Sequence, residues 1–218
     1  MQTASMSAIY ATLFDEIISG RYEPETRVKE EDLAAQFEVS RTPVREALRQ
    51  LEQDGLVQIL PKRHTKIIGF TVDDVEEIYD IRKVLEQQAM SNSAAHLSIQ
   101  GLKEIRMAIQ DIAHSPDSQK HVQMDARLHD YFIEASRKRR LIAILHQMSR
   151  LIQRFRELGF KVSRTRDIAV EEHMELIDAL FVRDVEKALD MLGKHIERSK
   201  TDAISLLVRG GGPSVIRT

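Results

Sequence analysis

The chain has 218 residues, no cysteine and a formal net charge of −2. That length leaves material for a second core beyond one small domain, and the missing cysteines exclude disulfides and thiolate metal sites while leaving the redox compartment open. No apolar run approaches the roughly 20 residues that span a bilayer, and the N-terminus carries no signal-peptide pattern, so a cytoplasmic protein without a membrane partner is expected.

The first element reads as a helix. Ile9, Leu13 and Ile17 recur at four-residue spacing with Tyr10 and Phe14 alongside, and Gly20 stops it. A short second helix carries Leu33, Ala34 and Phe37, with Glu30, Glu31 and Asp32 near its positive N-terminal end. Val39-Ser40 then turns into a third helix. There Ser40 suits the N-cap, its hydroxyl accepting from an orphan amide, and Pro43 fits the first turn. Arg41, Arg45 and Arg49 share one face of this helix, and Val44, Leu48 and Leu51 share another. One face packs while the other reaches outward with cations, as a recognition helix in a DNA major groove requires. A surface helix whose arginines pair with Glu46 and Glu52 fits the same residues.

The neighbouring segments decide between these readings. The third helix stops at Gly55. Leu56-Val57-Gln58-Ile59 and Lys66-Ile67-Ile68 are short β-branched runs around Pro61-Lys62-Arg63-His64-Thr65, a hairpin with a basic tip. Three helices and a basic hairpin make a winged helix-turn-helix over residues 1–70, expected to bind double-stranded DNA. Arg41, Thr42 and Arg45 occupy the exposed first turns and are expected at bases, Arg49 at phosphates, and Arg63 and His64 on the wing. Residues 1–38 carry three basic and eight acidic side chains, residues 39–70 six and three. The positive charge is thus confined to the recognition helix and wing. A domain this weakly basic binds non-specific DNA poorly and depends on two copies, so a homodimer on a palindromic operator is expected.

From Thr71 the period is helical almost throughout. Thr71 caps a helix with Val75, Ile78, Tyr79, Leu85 and Ala89; Ser98 begins another, which Ser115-Pro116-Asp117 ends. A third carries Val122, Leu128 and Phe132, and a long fourth runs from Leu141 to Gly159. The last two, near 165–182 and 184–208, form a hairpin about Arg183-Asp184. The tail Gly210-Gly211-Gly212-Pro213 reads as a frayed terminus. Residues 71–218 are therefore expected to be an antiparallel bundle of about six helices, and the whole chain mainly α.

Asp125 and His129 lie one turn apart beside Leu128 and Phe132, so they point inward. His173 and His195 stand eleven residues on either side of Asp184. In an antiparallel pair they come level, each about 16 Å from the turn. Three imidazoles and one carboxylate make a partial shell for Zn²⁺, or for Ni²⁺ or Mn²⁺, with open positions for a ligand. Each histidine alone reads equally as a core residue satisfied by a carbonyl. Arg82 and Glu86 form either a helix-surface salt bridge or, with the guanidinium facing the bundle cavity, an anchor for an effector carboxylate.

Residues 9–70 resemble the N-terminal domain of the GntR family of bacterial transcription regulators. The likeness rests on Leu13, Ile17, Gly20, Pro24, Leu33, Ala34, the run Ser40-Arg41-Thr42-Pro43-Val44-Arg45-Glu46-Ala47-Leu48, and Leu51, Gly55, Leu56 and Val57. Glu25 stands where the family usually has glycine after Pro24, and His64 where glycine is common at the wing tip. Residues 71–208 resemble the helical FCD ligand-binding domain of the FadR-type branch, through Asp-x-x-x-His at Asp125 and His129, two histidines 22 residues apart at His173 and His195, and Arg82 with Glu86. Arg137-Lys138 replaces the usual Gly-Asn after Ser136. The resemblance implies that Asp125 and the three histidines bind a divalent metal that in turn holds a small carboxylate effector, and that DNA binding represses transcription.

Two other function classes fit parts of the chain. One is a metal-dependent enzyme in the bundle, with the metal group activating water. Against it, no His-Glu-x-x-His occurs, and Val170 and Leu192 stand where a di-iron bundle needs glutamates. The other is a DNA-binding protein whose helical half serves dimerisation only and whose histidines are buried packing.

Overall fold

Ile9, Leu13, Phe14 and Ile17 line one stripe of a 3.6-residue period, and burying that stripe folds Met6–Ile18 into helix α1. The computed structural model describes residues 5–61 and 64–210. The chain divides into two compact units. Of the described residues, one holds those up to Val75 together with 204–210, and the other is Glu76–Ala203.

In the first unit α1 packs on α3 (Arg41–Gln53), and the short α2 (Glu30–Gln36) packs on α3 as well. Val44, Ala47, Leu48 and Leu51 form the buried face of α3, each no more than 2% exposed. Strands β2 (Val57–Leu60) and β3 (His64–Ile67) pair antiparallel. A further strand, β1 (Arg27–Lys29), pairs on the other edge of β3 to give the order β1-β3-β2. The sequence reading did not anticipate β1. Three residues are too few for an alternating pattern, and the strand exists only because β3 offers an open edge.

Local backbone chemistry departs from expectation at four positions. Ser40 is the N-cap of α3, but its hydroxyl makes no capping bond. Glu25 takes φ 69° and Arg137 φ 55°, so both hold the left-handed conformation of the glycines they replace, at a conformational cost. His64 is not at the hairpin tip. It is the first residue of β3, paired with Leu60 on one side and Lys29 on the other, and needs no positive φ.

The second unit is helical, built from α4 (Val72–Ser93), α5 (Ile99–Ile112), α6 (Ser118–Ala135), α7 (Arg139–Gly159), α8 (Ser163–Phe181) and α9 (Val185–Gly210), except for the start of α4 and the end of α9, which fall in the first unit. At the start of α4 the Thr71 hydroxyl accepts from the Asp74 amide, while Asp74 accepts from the Thr71 amide, a reciprocal cap. Leu102, Ile109, Leu128, Phe132, Leu176, Ile177 and Leu192 are almost fully enclosed. Burying each contributes about 1.5–3 kcal/mol. No helix among the described residues is long and apolar enough to cross a membrane. Residues 211–213 of the expected frayed tail, and the wing residues Lys62 and Arg63, lie outside the described residues.

Candidate functional site

Four polar side chains meet in the middle of this apolar packing. Helix α6 supplies Asp125 and His129, α8 His173 and α9 His195, each 1–3% exposed. The hairpin about Asp184 does bring the two later histidines level, with ring centroids 4.6 Å apart. Asp125 Oδ1 lies 3.2 Å from His173 Nε2, 3.4 Å from His195 Nε2 and 3.9 Å from His129 Nε2. The Nε2 atoms of His129 and His195 are 3.3 Å apart.

Donors about 2.0–2.2 Å from a metal lie about 3.0–3.6 Å apart in adjacent octahedral or tetrahedral positions. The separations of 3.2, 3.3 and 3.4 Å match one central ion, and the 3.9 Å between Asp125 and His129 has to shorten for both to bind it. Proton placement points the same way. His129 Nδ1 contacts Glu86 Oε2, and His195 Nδ1 lies 2.7 Å from Glu172 Oε2. Each Nδ1 faces a carboxylate that suits it as a donor, which turns Nε2 to the centre, where a proton or a metal can take its lone pair. Nε2 of His173 is buried and makes no hydrogen bond. Converging lone pairs repel one another unless a cation lies between them, so the donor set suits a divalent metal.

Charge around the centre is largely paired within the protein. Four carboxylates, Glu86, Asp125, Glu172 and Asp202, contact three guanidiniums, those of Arg82, Arg156 and Arg198. Burial alone would push the Asp125 carboxyl up, but Arg156 and the neighbouring histidines outweigh it and hold the group well below the usual range. Burial similarly opposes Glu172, which His195 and Arg198 nevertheless hold down at about 2. His129 is pushed down to about 4 by burial, only partly offset by Glu86 and Asp125. Burial also lowers His173. For His195, burial is outweighed by hydrogen bonds to Asp125 and Glu172, and its pKa is raised.

Arg82 does not face the cavity in this unit. It is 1% exposed, its Nε donates to Glu86 Oε1 at 2.6 Å, and its Nη2 lies 3.4 Å from both ring nitrogens of His129. The Glu86 carboxylate claims its charge, so the guanidinium buttresses the imidazole. A cavity of about 20 Å³, room for roughly one water, opens beside Asp125 instead, and its cations are Arg156 and Arg198, with Tyr79, Thr165 and Asp202 also on the wall. Sequence reasoning missed Arg156, Glu172 and Arg198. Arg198 was findable, being one turn beyond His195 on the same face. Arg156 meets Asp125 only through the packing of α7 on α6, which no spacing encodes.

In the first unit, Arg41, Thr42 and Arg49 are exposed on α3. The arginines do not pair with Glu46 and Glu52. Arg41 Nη1 lies 3.0 Å from Glu31 Oε1, and Arg45 is held by Glu30. Arg49 makes no ion pair among the described residues, and Glu52 accepts instead from the Ile59 amide at 2.7 Å.

Comparison with known proteins places these two sites in context. Residues 6–67 match the bacterial regulatory proteins of the gntR family, and residues 77–198 match the FCD domain. The chain is 28% identical over 190 residues to an uncharacterized HTH-type transcriptional regulator, YdhC, of Bacillus subtilis, covering 85% of each chain. It is 44% identical over 70 residues to the gluconate operon transcriptional repressor of Bacillus licheniformis, a match spanning 32% of this chain and 28% of that one. Among solved structures, Lar, which controls the Listeria monocytogenes agr system, superposes with a TM-score of 0.68 at 17% identity, covering 92% and 96% of the two chains. The Zn²⁺-bound FCD domain of TM0439 superposes with a TM-score of 0.50 at 24% identity, covering 62% of this chain and 94% of that one.

Proposed function

The chain belongs to the gntR family of bacterial transcription regulators and carries an FCD domain, and from that premise we propose a repressor whose grip on a palindromic operator is set by a small carboxylate bound at a metal site formed by Asp125, His129, His173 and His195. The matching families are regulators and not enzymes, so the hydrolytic reading of the bundle is set aside. The observation that carries the proposal is the convergence of four donor atoms within 4.8 Å of one another, all buried. A purely structural bundle has no need of them. Zinc is the ion proposed, in keeping with the TM0439 domain, with nickel or manganese as alternatives.

A divalent ion there supplies positive charge and open coordination positions to an anionic oxygen ligand. Against four carboxylates and three guanidiniums, a divalent ion leaves the centre with net positive charge, which favours an acid. Arg156 and Arg198, on the cavity wall, are the proposed anchors for that acid, which would compete there with the Asp125, Glu172 and Asp202 carboxylates that now hold them, and Arg82 is assigned to orienting His129. The cavity holds only about one water, and binding of a larger acid is proposed to spread the surrounding helices. Two states with unequal affinity for the acid follow, which is what coupling to DNA requires.

On the DNA side, Arg45 is proposed to read a guanine edge with Arg41 and Thr42 alongside, and Arg49 to hold phosphate; the same reading assigns Arg63 and His64 to the wing contact. Arg45→Ala is expected to weaken binding to a duplex selected from a random library by about 1–3 kcal/mol and to relax preference at one base pair. Unchanged affinity at matched salt would remove Arg45 from the readout.

A homodimer is proposed because one weakly basic winged domain has few phosphate contacts to offer. The exposed Ile81 and Val84 on α4, at 48% and 67%, support an apolar partner face on the helical unit. Sedimentation is expected to show a dimer at micromolar concentration; a monomer binding its operator tightly one-to-one would contradict it.

A further inference from the structure

Glu30 is 6% exposed, although it is an acidic residue at the first position of a short helix beside the DNA-reading helix. Its carboxylate takes one edge of the Arg45 guanidinium: Arg45 Nε lies 3.0 and 3.2 Å from its two oxygens, and Nη2 lies 2.7 Å from Oε2. The Arg45 side chain remains 40% exposed. A guanidinium has five N–H donors. The side edge, Nε with Nη2, is spent on Glu30. The end edge, Nη1 with Nη2, is left free, and that is the pair of donors which fits O6 and N7 of guanine in the major groove.

We propose that Glu30 is a positioning and specificity-determining residue for DNA recognition: it fixes Arg45 with the guanine-reading edge outward and cancels the charge that would otherwise draw Arg45 to any phosphate. This rests on the reading that Arg45 contacts bases. Two physical effects act together. Arg side chains lose rotamer freedom on binding, and a clamp already in place removes part of that cost. Phosphate contact is a matter of net charge, and the Glu30–Arg45 pair has none, so only a site offering the geometric match gains from Arg45. Glu31 meets Arg41 only through Nη1, at 3.0 Å and from an exposed position, and is expected to act more weakly.

The test compares the parent, Glu30→Gln, Arg45→Ala and the double variant on two probes: a duplex selected from a random library by the parent, and a random-sequence duplex of equal length, each over a range of salt. Glu30→Gln is expected to lose about tenfold on the selected duplex and to bind the random duplex as well as the parent or better, with a salt slope steeper by about one ion. With Arg45→Ala already present, Glu30→Gln should change selected-duplex binding by less than about twofold. Thermal midpoints check that each variant is folded. Parallel loss on both probes would make Glu30 merely structural, and parent-like behaviour on both would make it irrelevant; either overturns the proposal. An Arg45→Ala variant that keeps full selected-duplex affinity would instead overturn the base-reading premise, a result separable from the other two.

Discussion

Purified without chelator, the parent is expected to carry one divalent ion per chain, and a folded His173→Ala, His195→Ala double variant none. Loss of a single residue that only supports a metal ligand costs about 10–100-fold in affinity. Removing two of four direct donors should therefore cost about a thousandfold or more. Because the native state binds the ion and the unfolded chain does not, occupancy at a hundred times Kd stabilises by about 2.7 kcal/mol. For a chain of this size that is about 5–10 °C in thermal midpoint, which chelation should remove from the parent and leave unchanged in the variant. The pH dependence has a definite sign. His129, held at about 4, is neutral at pH 7, whereas His195, lowered by burial but raised further by its hydrogen bonds to Asp125 and Glu172, is the histidine at which protons compete most with the metal. Uptake should release protons, and affinity should fall as pH drops through the ordinary histidine range near 6.5. Titration calorimetry in buffers of different ionisation enthalpy reads the proton count. Equal metal content in parent and variant would contradict the assignment.

Glu86→Ala is expected to be the most destabilising single substitution in the helical unit. It strands the Arg82 guanidinium, at 1% exposure, without the carboxylate that now balances it. Breaking a buried pair by removing one member costs about 3–5 kcal/mol, whereas replacing both members by apolar groups of similar size is often neutral. The predicted fall in thermal midpoint is roughly 6–20 °C. Adding Arg82→Met to Glu86→Ala should recover a large part of it. Metal affinity should not recover, because His129 Nδ1 has lost its acceptor in both variants. A Glu86→Ala variant as stable as the parent would mean that the pair is not the balanced buried unit described above.

Much of this was legible in the sequence because it is periodic. Apolar stripes every three or four residues marked the helices, and reflection about Asp184 placed His173 against His195 from spacing alone. What was not legible depends on partners distant in sequence. Strand β1 has no pattern of its own and is formed by the edge of β3. The i,i+4 spacing suggested the Arg82–Glu86 pair, but not its depth, which converts a surface bridge into a buried support for His129. Arg45 likewise showed its helix face but not the Glu30 carboxylate that holds it from a different helix. The left-handed Glu25 and Arg137 show a further limit, since a backbone fixed by its surroundings can take a positive φ at residues whose type does not announce it.

Anomalous diffraction from crystals of chelator-free protein, recorded across the zinc, nickel and manganese edges, tests the central claim most directly. One peak per chain is predicted about 2.0–2.2 Å from Nε2 of His129, His173 and His195 and from Asp125 Oδ1, with any co-purified acid lying between that peak and the guanidiniums of Arg156 and Arg198. No peak at these four atoms at any of the three edges, in crystals soaked with each ion, would contradict it.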